Sequence, residues 1–248
     1  MKSRSPNLTA RVVNIIPIVA LMAFFSYVLW QILMPNVSEI ASTISVRIDG
    51  ANTGSGVIVE AAGVGTAAPF KHRYLVLSNW HVVSPPAVGA KRSLTIGTSD
   101  GRKHIVSIAK VVRVGKLDLA TLEFQSQYRY RAASIGNSAR LREGDVVYVS
   151  GWADPSPQLV TRTYQYLVGN LSGRIDRPRD GYALVYTVNA LPGMSGGPVL
   201  DWRGNLVGIN GRATVDLRTG TVNSVLGIDI DRYLRARGDL PTHRWHKY

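Results

Sequence analysis

Cysteine is absent from the 248-residue chain, which excludes a disulfide framework and by itself leaves the cellular compartment open. A glycine-rich phosphate loop, a side-chain cluster with metal-ligand spacing and an internal repeat are missing too, so neither a cofactor nor a metal is expected. Acidic residues are scarce, at 16 against 29 Lys and Arg, for a net charge of +13. The first 34 residues hold three bases and no acid, leaving 26 bases against 16 acids, or +10, for the remainder. Such an excess favours anionic membrane surfaces, acidic substrates or nucleic acid. The bases are scattered, however, and no nucleic-acid motif accompanies them, so a solvated basic surface accounts for them and no nucleic-acid partner is expected. Retention on DNA or RNA that weakens steeply with salt would be the sign of the contrary.

One stretch lacks charge altogether. Val12 to Met34 is a run of 23 residues without a formal charge, long enough at about 1.5 Å per residue to cross a bilayer core of roughly 30 Å. Lys2, Arg4 and Arg11 precede it, so the positive-inside rule keeps the N-terminus cytoplasmic and places the remainder of the chain across the membrane, with Tyr27 and Trp30 near the outer interface. A cleaved signal peptide is the rival, but its apolar core is usually shorter. Pro35 to Ser42 also lacks a clean small-x-small cleavage site. The expectation is a retained single-pass anchor, residues 1–34, joined to a linker at 35–43.

What is present is a serine among glycines, Gly193-Met194-Ser195-Gly196-Gly197-Pro198. Acyl transfer needs a nucleophile and fixed N–H donors where negative charge develops, and the N–H groups of Gly193 and Ser195 are candidates for the second requirement. Alone, the six residues also fit an ordinary turn before a strand. A serine needs a general base, for which imidazole is best suited. Of five histidines, His72 sits in a basic loop, His104 in the polar opening of a strand-like run, and His243 and His246 in a basic tail. His81 differs: it closes the apolar run from Tyr74, where a buried strand emerges and can present a ring to a cleft. Alone, it also fits a hydrogen-bonded core histidine. Asp118 is an acid inside the apolar Leu117-Asp118-Leu119-Ala120-Thr121-Leu122, costly to bury without a partner and able to orient an imidazole. It fits a strand-end cap as well. The three appear in the order His, Asp, Ser at separations of 37 and 77 residues.

The nucleophile elbow Gly-x-Ser-x-Gly of the α/β hydrolases also matches Gly193 to Gly197, but it needs a helix after the serine and the acid and histidine downstream. Here the serine loop leads into Pro198-Val199-Leu200 and a turn, and only His243 and His246 lie downstream.

With these residues in place, the chain resembles the chymotrypsin-like (trypsin-fold) serine proteases, and within them the bacterial HtrA/Deg-type branch. The resemblance rests on Gly54-Ser55-Gly56-Val57-Ile58, Ser78-Asn79-Trp80-His81-Val82-Val83, Asp118-Leu119-Ala120, Pro192 to Pro198 and Gly204-Asn205-Leu206-Val207-Gly208-Ile209-Asn210, in family order from about residue 44 to 230. The run Asp180 to Thr187 ahead of the serine loop is similar to stand-alone cyanobacterial trypsin-like peptidases. The resemblance implies that His81 is the general base, Asp118 its orienting acid, Ser195 the nucleophile, and the Gly193 and Ser195 N–H groups the oxyanion hole. Trp80 stands where a small residue is usual and Met194 where a polar one is, departures that bear on the shape of the cleft rather than on a catalytic atom.

The fold expected is all-β: two six-stranded antiparallel β-barrels, with the N-terminal transmembrane helix and a short C-terminal helix. Candidate strands are Ile44–Ile48, Gly56–Glu60, Tyr74–Ser78, Leu94–Thr98, Ile105–Val114, Leu119–Phe124, Val146–Ser150, Thr163–Leu171, Ala183–Val188, Val199–Leu200 and Leu206–Asn210, with a last strand near Gly227. Asp100-Gly101 signals a hairpin. The protease domain spans 44–230, with barrel 1 at about 44–125 and barrel 2 at about 133–228, and 231–248 form a short helix and basic tail. An HtrA relative would often carry a C-terminal PDZ module, for which no room is expected after Gly227. By position relative to Ser195, Asn189 lies near the floor of the specificity pocket, unless it merely satisfies a turn, and Ile209-Asn210-Gly211 form a wall that also binds substrate backbone. With no acid at the floor, poor cleavage after Lys or Arg is expected, and a preference for small or medium apolar residues. Together these features point to a serine endopeptidase acting on polypeptides at a membrane, the alternative being a catalytically latent binding or scaffold protein of the same fold.

Overall fold

Residues 19–26, 35–63, 72–84, 93–215 and 222–239 are described by the computed structural model. The chain divides into two units, Met1–Asn36 and Val37–Tyr248. In the first, residues 19–26 are helical; the rest of the expected span lies outside the described residues. Among the described residues no helix is long and apolar enough to cross a membrane.

The second unit starts with a helix where a linker was expected. Val37–Ile44 (α1) has Val37, Ile40, Ala41 and Ile44 on one buried face, the i, i+3, i+4, i+7 pattern of a helix laid on a core. In a window of eight residues that stripe is too short to stand out in a sequence. The next strands are β1 (Ser45–Asp49), β2 (Thr53–Gly63), β3 (His72–Ser78), β4 (Ser93–Gly97), β5 (Lys103–Ser107), β6 (Val112–Arg113) and β7 (Ala120–Ser126), with a single helical turn, α2 (Trp80–Val83), after β3. They form one sheet in the order β5-β4-β1-β2-β3-β7-β6. The Asp100-Gly101 hairpin is present, joining the antiparallel β4 and β5 with Gly101 at φ +80°.

This sheet has seven strands and stays open, which corrects the expected six-stranded first barrel. The run Ile105–Val114 reads as one strand, but a 3₁₀ turn at Ile108–Lys110, capped by the Ser107 hydroxyl, breaks it. Its two halves end on opposite edges of the sheet as β5 and β6, and among the described residues backbone hydrogen bonds do not close the gap between them. Side chains partly bridge it: the His104 ring of β5 lies 4.6 Å from Phe124 of β7 and 5.7 Å from Tyr130.

The second half is a closed barrel in the order β10-β13-β12-β11-β8-β9, comprising β8 (Val146–Ala153), β9 (Thr163–Arg174), β10 (Tyr182–Tyr186), β11 (Pro198–Leu200), β12 (Leu206–Val215) and β13 (Val222–Asp229). Closure removes exposed sheet edges. The helix expected at the C-terminal end is Ile230–Arg237 (α3); the Asp229 carboxylate caps it by accepting the Arg232 N–H at 3.1 Å, and Gly238 ends it in a left-handed turn. Inward-facing residues of alternating strands make three apolar clusters: one inside the open sheet, one inside the barrel, and one between them under α1 and α3.

Candidate active site

Antiparallel register sets His81 beside Asp118 in one lobe and Ser195 beside Gly211 in the other. Ser78 at the end of β3 pairs with Ala120 at the start of β7, so Asp118, two residues before Ala120, lies beside the turn that carries His81. In the barrel, Pro198 of β11 pairs with Ile209 of β12, which sets Ser195 beside Gly211. His81 and Asp118 thus come from the open sheet and Ser195 from the barrel.

Asp118 is 5% exposed and needs partners to remain charged. The His81 Nδ1 lies 2.7 Å from its Oδ2, and the His81 backbone N–H donates to Oδ1 at 2.9 Å. The Tyr182 hydroxyl donates to Oδ2 at 2.7 Å, and Arg212 Nη2 stands 3.9 Å away. Burial pushes the carboxyl pKa up, but the hydrogen bonds from the His81 ring, the Tyr182 hydroxyl and the His81 N–H outweigh it and hold it below the usual carboxylate value. A carboxylate on Nδ1 places the imidazole proton there and leaves Nε2 as the acceptor. The backbone is tied as well: the Asp118 carbonyl accepts from Asn79 Nδ2 and Trp80 N–H, and the Asp118 N–H donates to Asp180 O at 2.9 Å.

Tyr182 and Arg212 were assigned no role from the sequence. Tyr182 stood inside the Asp180 to Thr187 run, but nothing there indicates that its phenol reaches across to Asp118. The reach depends on Gly211: a Cβ at that position would lie 2.4 Å from the Tyr182 hydroxyl, so the phenol occupies the space a side chain would take. The Arg212 guanidinium covers the Tyr182 ring at 4.6 Å and pairs with Asp180 at 3.0 Å.

The serine turn is held from several sides. Gly193 and Gly196 both have φ +88°, and a Cβ on Gly196 would stand 2.1 Å from the Ser55 carbonyl, so the glycines are required by conformation and by space. The Pro192 carbonyl accepts the Asp154 N–H at 2.8 Å. In a planar trans peptide the N–H points opposite to the carbonyl, so the Gly193 N–H faces away from Asp154. Neither the Gly193 nor the Ser195 N–H donates to an acceptor among the described residues. The Ser195 hydroxyl donates to the Gly211 carbonyl at 2.8 Å, and no hydrogen bond joins it to His81 among the described residues.

The residues expected to shape the specificity pocket divide. Gly211 lies at the cleft, with its carbonyl on Ser195. The Ile209 side chain is fully buried in the central cluster. Asn210 is buried too: its Nδ2 donates to Met194 O at 3.0 Å and its Oδ1 accepts from the Tyr186 hydroxyl at 2.7 Å. Their side chains therefore do not form the wall, because in β12 they serve the core and the serine turn. Asn189 is exposed on the segment after β10, not sunk at a floor. Met194 is fully buried in the barrel cluster, so it fills the interior and does not shape the cleft. Trp80 packs on the core of the open sheet, with Arg113 5.3 Å from its ring.

A two-lobed β fold with this constellation at its junction is that of the trypsin-like peptidases, and the family model for the trypsin-like peptidase domain matches residues 54–209; the chain belongs to that family. Within it the similarity is to HtrA-type proteins. The chain is 26% identical over 202 residues to the human serine protease HTRA3, covering 79% of this chain and 40% of that protein. It is 33% identical over 162 residues to the serine protease Do-like HtrA of Bacillus subtilis (strain 168), covering 60% and 33%. Among solved structures, the HtrA-type protease AlgW with tripeptide superposes with a TM-score of 0.60 at 24% identity, covering 83% of this chain and 63% of that one. The chain therefore spans less than half the length of these curated relatives.

Proposed function

We propose that the protein is a serine endopeptidase that hydrolyses polypeptides through an acyl-enzyme, with Ser195 as nucleophile, His81 as general base and Asp118 as the acid that orients it. The observation that carries this reading is the carboxylate–imidazole pair at 2.7 Å, together with a glycine-framed serine whose hydroxyl rests on Gly211, the residue packed against the Tyr182 phenol that also holds Asp118. The Ser195 hydroxyl first leaves the Gly211 carbonyl, by rotation between staggered χ1 wells. His81 Nε2 takes its proton as Oγ attacks the scissile carbonyl carbon, and the tetrahedral oxyanion receives the Gly193 and Ser195 N–H groups. The imidazolium gives the proton to the leaving amine as the C–N bond breaks. Water then repeats the sequence on the ester and releases the acid. Asp118 stays ionised throughout, stabilising the imidazolium.

The N-terminal run is assigned as a single-pass anchor of a bacterial membrane, with the domain on the periplasmic or lumenal side. Its support is the 23-residue uncharged stretch and the outward apolar side chains of the helical residues 19–26, among them Leu21, Met22, Phe24 and Phe25.

A fluorophosphonate probe tests the chemistry. Wild-type protein is expected to label and Ser195→Ala to remain unlabelled. Wild-type protein that neither labels nor cleaves an unfolded polypeptide would sink the proposal in favour of a latent binding protein. A peptide-library profile dominated by Lys or Arg would contradict only the small or medium apolar preference expected from the sequence.

A further inference from the structure

A charged side chain lies buried behind the serine turn, apart from the triad and its supports. Arg162 ends the 154–162 loop between β8 and β9, and its side chain is only 9% exposed. Removing a guanidinium from water is costly unless its donors are satisfied and its charge is paired. Arg162 pairs its charge and satisfies both terminal nitrogens by reaching several segments at once. Its Nη1 donates to the Ile48 carbonyl at 2.9 Å and to Asp49 Oδ1 at 2.7 Å. Its Nη2 donates to the Gly54 and Trp152 carbonyls, both at 2.8 Å, and to the Gly193 carbonyl at 3.4 Å. Its Nε stands 3.1 Å from Asp154 Oδ1 as an ion pair, without the alignment of a hydrogen bond. The fork therefore joins β1, β2, β8 and the serine turn.

Asp154 carries the link to the oxyanion side. Its N–H holds the Pro192 carbonyl at 2.8 Å, and its Oδ2 accepts the Thr53 hydroxyl at 2.8 Å. The Gly193 carbonyl has a second donor, the Ser55 hydroxyl at 2.8 Å, which in turn accepts the Trp152 N–H. The carbonyls of Pro192 and Gly193 are thus both held by donors from outside the turn. The Pro192 carbonyl shares its peptide plane with the Gly193 N–H, so holding it fixes the direction of that N–H. The held Gly193 carbonyl anchors the next peptide on the other side of the Gly193 Cα. Loosening Asp154 would free the Pro192–Gly193 peptide to rotate and carry that donor out of place.

We propose that Arg162 is a positioning residue which, through Asp154 and the Gly193 carbonyl, fixes the Gly193 N–H as an oxyanion donor. The assignment rests on the endopeptidase reading of the site. It needs the planar fork of arginine: lysine offers one point charge and cannot serve opposed carbonyls and two carboxylates together.

The test uses the full chain with Arg162→Gln, Arg162→Lys and Asp154→Asn. Fluorophosphonate titration counts active sites, and kcat per titrated site and KM are measured on an unfolded fluorogenic polypeptide below the melting transition. Binding of a peptide boronate, whose tetrahedral anion occupies the oxyanion hole, is compared with that of the matching peptide amide. Arg162→Gln is expected to lose about 10²-fold to 10³-fold in kcat, the loss typical of one missing oxyanion donor. Boronate affinity should fall with it, while KM and amide affinity stay close to wild type. Arg162→Lys should not rescue. A merely structural arginine would lower the melting temperature and the titrated fraction without changing kcat per site, and that result overturns the proposal. If Arg162→Gln fails to fold, Asp154→Asn, which keeps the N–H on Pro192 but weakens the ion pair, should show a smaller loss of the same kind, and an unchanged kcat per site there is equally fatal. A wild-type protein that neither labels nor cleaves removes the endopeptidase reading and this assignment together, whereas an active wild type with fully active Arg162 variants removes this assignment alone.

Discussion

At the residue scale, the acid of the site depends on a phenol and on a missing side chain. Tyr182→Phe removes one hydrogen bond to a buried carboxylate, a bond worth about 1.5–3 kcal/mol. About a tenfold drop in kcat is expected, with KM unchanged, read from steady-state cleavage. Gly211→Ala should reproduce much of that loss, because its Cβ would meet the Tyr182 hydroxyl at 2.4 Å. The double variant should then cost little more than either change alone, since both act on one contact. Asp118 also has a signature in pH. Its pKa is lowered on folding, so its contribution to stability is complete above the unfolded value near 3.9 and is lost as pH falls through the lower folded value. Melting temperatures of wild type and Asp118→Asn should differ most at neutral pH and converge as the medium is acidified below about pH 4. His81, Asp118 and Ser195 were legible because each combines a reactive group with a local setting that is costly without a partner. Tyr182, Arg212 and Arg162 were not, since a tyrosine or arginine in a strand or loop carries no local sign of what it will touch across the fold.

At the scale of elements, the helix α1 shows how a short segment escapes sequence reading. Its eight residues carry too few turns for a periodic pattern, yet Ile44 is fully buried in the cluster shared by the two lobes. Ile44→Ala should cost about 2–5 kcal/mol, the range for truncating a large core aliphatic, and urea denaturation should show it as a lower midpoint. The strands β3, β7 and β12 were legible from their apolar runs. The fate of Ile105–Val114 was not: local pattern favours one strand, and only the path of the chain places its halves on opposite edges. The same limit applies to Ile209 and Asn210, which sit where expected along β12 but face inward, because the direction of a side chain depends on register as well as on position.

At the scale of the whole molecule, the chain joins an apolar N-terminal run to a two-lobed domain. A chain lacking residues 1–36 is expected to keep its cleavage of unfolded polypeptide while losing flotation with lipid vesicles; full-length protein that stays with the soluble fraction would contradict the anchor. The sequence by itself determined the family, the all-β class and the order His81, Asp118, Ser195, because strand patterns and reactive residues in glycine-rich turns are local properties. Only the tertiary structure decided that the first lobe is an open sheet, that the Ser195 hydroxyl rests on Gly211, that Tyr182 supports Asp118 and that Arg162 stands behind the serine turn. Each of these is a contact between segments far apart in the chain, and such contacts are set by register and packing, which no local stretch encodes.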